Sequence, residues 1–536
     1  MTPPRDMDRT TAQRLSLAEQ HDWFRQTRSR RTILRGGLVG AGALLVGPAL
    51  LDAAAGAATP KGQPAGLSVL GTRPRPDGRS VAPFGRHLAF GADPSTQMRL
   101  TWQVPAPVDA PFVRLGNRAG DLGPRIPAAL VALDVPAIGT NPAVTQYYVH
   151  ARFDHLVPAT TYVYGVGHTG FDPADPSLPG AVSTFTTAPA PGRLAPPFTF
   201  TAFGDQGSSY NAVANDSVLL GQDPAFHLHA GDISYADSSG DGLITDTYDV
   251  RLWDSWFTQI EPVASQVPWM VALGNHDMEA WLSPDGYGGE VRRFQFPGNG
   301  PAVSPGTYSF TYGDVAIVSL DANDVSNEIP ANQGFTAGAQ RAWLATELAA
   351  LRSRPDIDFI VVFFHHCAYS TCSVHASEGG VRAEWTSLFD QYDVDLVING
   401  HNHIYERTDP IRAGASTRTA PIGATIDPTT DGTTYVAAGA AGRSLYSFGV
   451  PDTYEGHLNP VDSIASFINE PGGTTTPETV DWSQVRFTGY SFIAADVTPA
   501  RPGRTATIAV RVLTETGVEL DQFTLARTAG GHRHPH

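Results

Sequence analysis

Phe198-Thr-Phe-Thr-Ala-Phe-Gly-Asp-Gln-Gly207 is the stretch on which the fold turns: a run of strand composition passes directly into glycine, aspartate and a second glycine. A short apolar run bounded by a Gly-rich turn reads as a buried strand. Four more stretches repeat the arrangement. Residues 225–230 lead into Gly231-Asp232-Ile-Ser-Tyr235, 268–273 into Gly274-Asn275-His276-Asp277, 358–364 into His365-His366, and 395–398 into Asn399-Gly400-His401-Asn402-His403. Residues 249–260 and 337–351 carry helical periodicity, the first with Trp253, Trp256, Phe257 and Ile260 on one face. Strands alternating with helices predict an α/β layered domain with its β-sheets flanked by helices, to which 490–497 and 507–512 add strands. In open α/β sheets ligands bind beyond the carboxyl ends of the strands, so the five clusters are expected on one rim.

Upstream the pattern differs. Met98–Val104, 146–152, 161–165 and 183–187 are short β-like runs separated by Pro, Gly and Asp, which predicts an antiparallel β-sandwich over 66–190. A Pro/Ala/Gly linker at 189–197 then separates it from the α/β domain, expected over 197–525, with 526–536 as a disordered tail. The polar, Gly-, Pro- and Thr-rich segments 410–431 and 447–483 read as surface insertions.

Residues 1–58 read as an address rather than a fold. Ser29-Arg30-Arg31-Thr-Ile-Leu-Arg35 presents a twin arginine, followed by a Gly/Ala/Leu-rich stretch and the small residues 53–58. This is the layout of a cleavable twin-arginine export signal, so the chain is expected outside the cytoplasm or secreted. The stretch is short and glycine-rich for a span of about 20 residues, so no stable membrane insertion is expected after cleavage. Eight arginines and five acids leave with it, taking the net charge from −17 to −20. That acidity, with Lys61 as the sole lysine, excludes a basic nucleic-acid face and demands strong local positive charge for any phosphate. Cys367 and Cys372 are the only cysteines, and both a small disulfide loop and buried free thiols fit their spacing.

Taken singly, each cluster has a plain explanation. Asp after Gly is commonly a turn residue, a lone histidine is commonly a satisfied core group, and Tyr235 could simply pack. Their joint occurrence at five strand ends carries the metal reading. Carboxylates, imidazoles, an amide and a phenol suit two close metal ions rather than one structural zinc. One carboxylate can bridge two cations, and the His401/His403 pair can send one imidazole to each.

The set G-D-x-G, G-D-x-x-Y, G-N-H, V-x-x-H (ending at His365) and G-H-x-H, extended by Tyr405-Glu406-Arg407, resembles the purple acid phosphatases among the calcineurin-like metallophosphoesterases. The upstream sandwich is similar to the fibronectin type III-like domain of the plant-type members. The resemblance implies that Asp205, Tyr235 and His403 bind a first metal, that Asn275, His365 and His401 bind a second, and that Asp232 bridges them. It also implies that His276 and His375 face the substrate as catalytic groups, with Glu378 shaping the pocket. His366 and Cys367 depart from the family, where a small or uncharged residue and often a proline are expected. A phenol with a pKa of about 10 rarely binds divalent ions at neutral pH, which points to Fe(III) paired with Fe, Zn or Mn in the divalent state. The implied activity is hydrolysis of small-molecule phosphate monoesters by a metal-bound hydroxide, weighted to acid pH where a histidine must be imidazolium. A phosphodiesterase, nucleotidase or phytase on the same site stays open, as does a non-catalytic surface-binding protein on the same fold. Tyr235 and the G-H-x-H-x-Y-E-R ending argue against the twin-arginine-exported alkaline phosphodiesterase type.

Overall fold

The computed structural model describes residues 81–527, apart from 118–121, 176, 179–181, 192–194, 451–463 and 502–504. The export signal read at 1–58, the expected sandwich start at 66 and the tail beyond 527 lie outside the described residues.

The first unit is two four-stranded antiparallel sheets. One orders Phe84–Phe90, Met98–Val104, Val144–Phe153 and Ala129–Val135; the other orders Arg125–Pro127, Phe112–Gly116, Thr161–Gly167 and Val182–Thr186. Alternation along these strands sends Leu100, Trp102, Val149, Val113, Tyr164 and Val166 into the shared core.

The second unit is two seven-stranded sheets packed face to face. In the first, Trp269–Ala272, Phe226–Ala230 and Phe198–Phe203 run parallel, and Ser491–Thr498, Ala506–Thr514, Glu519–Arg527 and the short Thr425–Ile426 continue it. In the second, Val315–Ser319, Phe359–Phe364, Leu396–Asn399 and Thr434–Ala438 are parallel, flanked by Tyr308–Tyr312 on one side and Tyr405–Thr408 and Ser483–Phe487 on the other. Phe200, Leu228 and Ile493 of the first sheet share a core with Ile317, Val361 and Ile398 of the second. Strands buried on both faces read as near-continuous apolar runs, which is why the parallel ones stand out in the sequence.

Helices cover the outer faces. Tyr210–Leu220 and Arg251–Ala264 lie over the first sheet and Ala339–Ser353 over the second. In Arg251–Ala264 the side chains of Trp253, Trp256, Phe257 and Ile260 are fully buried, as their spacing predicts. The sandwich packs along an adjoining flank of this helix and reaches Phe257 of the buried stripe. Gln103 and Gln146 donate to Asp254 Oδ1 at 2.7 and 2.6 Å, Arg86 pairs with Glu261 at 2.6 Å, and the His87 ring stacks on Phe257 at 4.6 Å.

The segments 410–431 and 447–483 are not wholly surface insertions. Ile426 is buried in a strand that edges the first sheet, and Ser483–Phe487 is an edge strand of the second. Ile464–Asn469 and Thr475–Val480 form a hairpin whose first strand pairs in parallel with Ser377–Glu378. Edge pairing is made by backbone, so a polar composition does not betray it.

Candidate metal centre

Five parallel strands deliver their turns to one rim. The turns are tight: Asp205, Asp232, Tyr235 and His401 hold positive φ of 61°, 54°, 57° and 67°, a region that L-residues avoid unless the surroundings impose it. Two glycines make the close approach possible. A Cβ on Gly231 would stand 2.8 Å from His365 Nδ1, and one on Gly400 would stand 2.6 Å from both Ala230 O and Asp205 Oδ2.

The side chains then converge in two sets. Tyr235 OH lies 3.1 Å from Asp205 Oδ1 and 2.9 Å from His403 Nε2, and the last two are 3.3 Å apart. His365 Nε2 lies 3.1 Å from Asn275 Oδ1, 3.2 Å from Asp232 Oδ1 and 3.3 Å from His401 Nδ1. Donors about 3 Å apart are what one ion with ligands at about 2.1 Å requires. Asp232 also falls within 4.8 Å of the ligand atoms of Asp205 and His403, so it belongs to both sets. All the oxygen donors come from turns of the first sheet and all the imidazoles from the second.

Backbone carbonyls fix two of the rings. His365 Nδ1 donates to Ala230 O at 2.8 Å and His403 Nδ1 to Ser444 O at 2.7 Å, which leaves each Nε2 as a lone-pair donor facing the site. Asp277 staples two turns together, accepting from the N–H groups of Asp232, Ile233 and Gly274 at 2.9, 3.0 and 2.8 Å. The Arg443 guanidinium stands 4.0 Å over the Tyr235 ring, and Tyr446 stacks on His403 at 4.0 Å.

The electrostatics fit a pair of cations. Burial pushes the Tyr235 phenol well up, and the charges of Asp205 and Asp232 push it further, against Arg443. Burial acts against the His365 imidazolium, yet Asp232 and Asp205 bring it up to about 10, so the site favours positive charge beside this ring. Asp232 is held well below the usual carboxylate range, its burial outweighed by His365 and His276. A multiply charged cation would answer the two carboxylates and favour the phenolate form of Tyr235.

The three residues expected to face the substrate are near at hand. His276 lies with its ring 4.4 Å from that of Tyr235, its backbone N–H on Asp232 Oδ1, its Nδ1–H on Asp237 O at 2.7 Å and its Nε2 3.8 Å from Asp232 Oδ2. The half-buried His375 ring sits 4.1 Å from His401, and burial lowers its pKa. Glu378 is pushed up to about 8 by burial and the charge of Glu328. Sequence reading missed Asp277, Arg443, Ser444, Tyr446 and Glu328; the last joins His375 and His401 in a further set of converging donors. Cys367 and Cys372 are both free and buried, among Ile404, Ala437, Tyr446 and Phe448.

Two facing sheets under helices, with carboxylates and imidazoles gathered on one rim, define a calcineurin-like phosphoesterase, and residues 198–405 match that family. Residues 83–187 match the N-terminal domain of purple acid phosphatases. The chain belongs to the purple acid phosphatases, in their two-domain form. An uncharacterized protein of Mycobacterium tuberculosis (strain H37Rv) is 33% identical over 512 residues, covering 87% of this chain and 93% of that protein. Purple acid phosphatase 23 of Arabidopsis thaliana is 32% identical over 280 residues, 49% of this chain and 58% of that one. The purple acid phosphatase of yellow lupin (Lupinus luteus) seeds shares the fold, with a TM-score of 0.62 at 21% identity over 84% of this chain and 75% of that one. The family hydrolyses phosphoesters at a dinuclear metal site. Among the described residues no helix is long and apolar enough to cross a membrane.

Proposed function

We propose that the chain is an exported acid phosphatase acting on small-molecule phosphate monoesters at an Fe(III) site paired with divalent Fe, Zn or Mn. One observation carries the reading: seven donor residues form two sets about 3 Å between neighbours that share Asp232. Asp205, Tyr235 and His403 would hold the first ion and Asn275, His365 and His401 the second, with Asp232 placed to serve both. When bound, the pair supplies Lewis acidity toward phosphate oxygens and lowers the pKa of water. His276, tied through Nδ1 to Asp237 O, presents Nε2 to the ester, and His375 flanks it from the His401 side. These two rings orient the phosphate and hold the proton that the leaving alkoxide takes. Glu378 shapes the pocket wall as a carboxylic acid, adding no negative charge at acid pH. The phenol ligand supports a trivalent iron, because its burial beside two carboxylates disfavours ionisation without a highly charged partner. Export rests on the twin arginine at Arg30 and Arg31 and the stretch that follows.

The test is hydrolysis of an aryl phosphate monoester and of its bis-aryl diester by the purified protein from pH 4 to 9. Faster monoester turnover weighted to acid pH is expected, with Asp232→Asn slowing it more than about 100-fold. Preference for the diester, or an alkaline optimum, moves the assignment to a phosphodiesterase. A protein lacking iron and any tyrosinate-to-iron absorption overturns the metal assignment.

A further inference from the structure

Glu328 lies in the irregular stretch after Ala322–Asp324, with its side chain 26% exposed, and it reaches into the metal centre. Its Oε2 lies 3.0 Å from His366 Nε2 and 3.3 Å from His401 Nε2, and its Oε1 lies 3.4 Å from Asn275 Nδ2. Both hydrogen-bond-range contacts beyond His366 are to residues of the second set and none is to Asp205, Tyr235 or His403, while His375 stands within 4.8 Å.

The consequences follow from hydrogen-bond chemistry. His401 turns Nδ1 toward His365 Nε2, so its Nε2 faces away from the second set and toward a carboxylate, which only accepts. That contact places the ring proton on Nε2 and leaves the Nδ1 lone pair for an ion. Asn275 is oriented in the same way: its Nδ2 donates to Gly240 O at 3.2 Å and to Glu328 Oε1, which leaves Oδ1 facing His365 Nε2. His365 and His403 are held by neutral backbone carbonyls, whereas His401 alone among the three has a carboxylate behind it. A carboxylate in that position raises the basicity of the imidazole as well as fixing its rotation. His366 completes the arrangement. Its ring packs on His401 at 4.3 Å and its Nε2–H holds Glu328 Oε2, so the acid is fixed from the side opposite Asn275.

We propose that Glu328, held by His366, is a positioning residue for the second metal: its two oxygens orient His401 and Asn275 and set the affinity of that ion alone. The inference rests on the two-ion reading above, and the test separates the two. Metal-free wild type, Glu328→Gln and His366→Asn are titrated with Fe(III) and then Zn(II), with ion content measured directly and the visible tyrosinate absorption recorded. The isosteric Glu328→Gln is expected to keep the first ion and an unchanged absorption band while binding Zn(II) about 10- to 100-fold more weakly. His366→Asn is expected to weaken Zn(II) in the same direction by less. Unchanged Zn(II) affinity in Glu328→Gln overturns the role, and so does equal loss of both ions, which marks a general structural defect. A wild type that binds only one ion removes the two-ion reading and this inference with it.

Discussion

His375 illustrates what a single residue does here and how it was legible. It lies ten positions beyond His365, a spacing that only the family resemblance makes meaningful, and the structure brings its ring against His401. If it protonates the leaving group, His375→Ala should slow an alkyl phosphate by about 100-fold or more while affecting an aryl phosphate much less. The measurement is kcat for both esters, and equal effects would remove the acid role. The seven donors could be read because each follows a strand end, and most also follow or adjoin a glycine. Glu328 could not, since no strand, glycine or motif precedes it. Asp277 was in plain view within Gly274-Asn275-His276-Asp277, yet its three N–H partners lie on two turns that only the folded sheet brings together.

The Tyr405–Thr408 strand shows the same division one level up. Successive side chains of a strand face opposite sides, so Tyr405 and Arg407 point one way and Glu406 the other. Tyr405 OH and Arg407 Nε both reach Asp521 Oδ2 at 2.6 Å, on a strand of the other sheet. Glu406 accepts from Thr371 N and Ser370 Oγ, both at 2.8 Å, and so ties down the loop that leads to His375. The tripeptide was recognisable as a family habit, but its work as a tie between sheets needed the register. Arg407 and Asp521 are fully buried at their charged ends. Asp521→Asn strands a buried guanidinium, and denaturant unfolding should register a loss of about 3–5 kcal/mol. A loss under about 1 kcal/mol would show that water or rearrangement replaces the pair. Strand and helix cores were legible from periodicity, whereas the 464–480 hairpin was not, because its exposed face is polar and its contact is backbone pairing.

At the scale of the molecule, the sandwich is fixed to the catalytic unit partly through titratable groups. His87 Nε2 donates to Arg293 O at 3.1 Å and His150 Nε2 to Arg292 O at 2.9 Å. Burial is the main cause that lowers both imidazoles from 6.5 to about 4. A folded-state value below the unfolded one contributes stability that is complete above pH 6.5 and is lost as pH falls toward 4. The thermal midpoint should therefore drop across that interval, and His87→Gln with His150→Gln should flatten the drop; an unchanged slope would place the acid sensitivity elsewhere. The partition of ligands between the sheets has a consequence of another kind. Residues 198–275 hold only the oxygen half of the centre and residues 359–403 only the nitrogen half, so neither stretch can retain the ion pair by itself. On the two-ion reading, occupancy is then an internal certificate of completed folding. With Fe(III) at Tyr235 as proposed, a chain caught before its sheets dock should stay colourless, so that purple absorbance would count finished molecules.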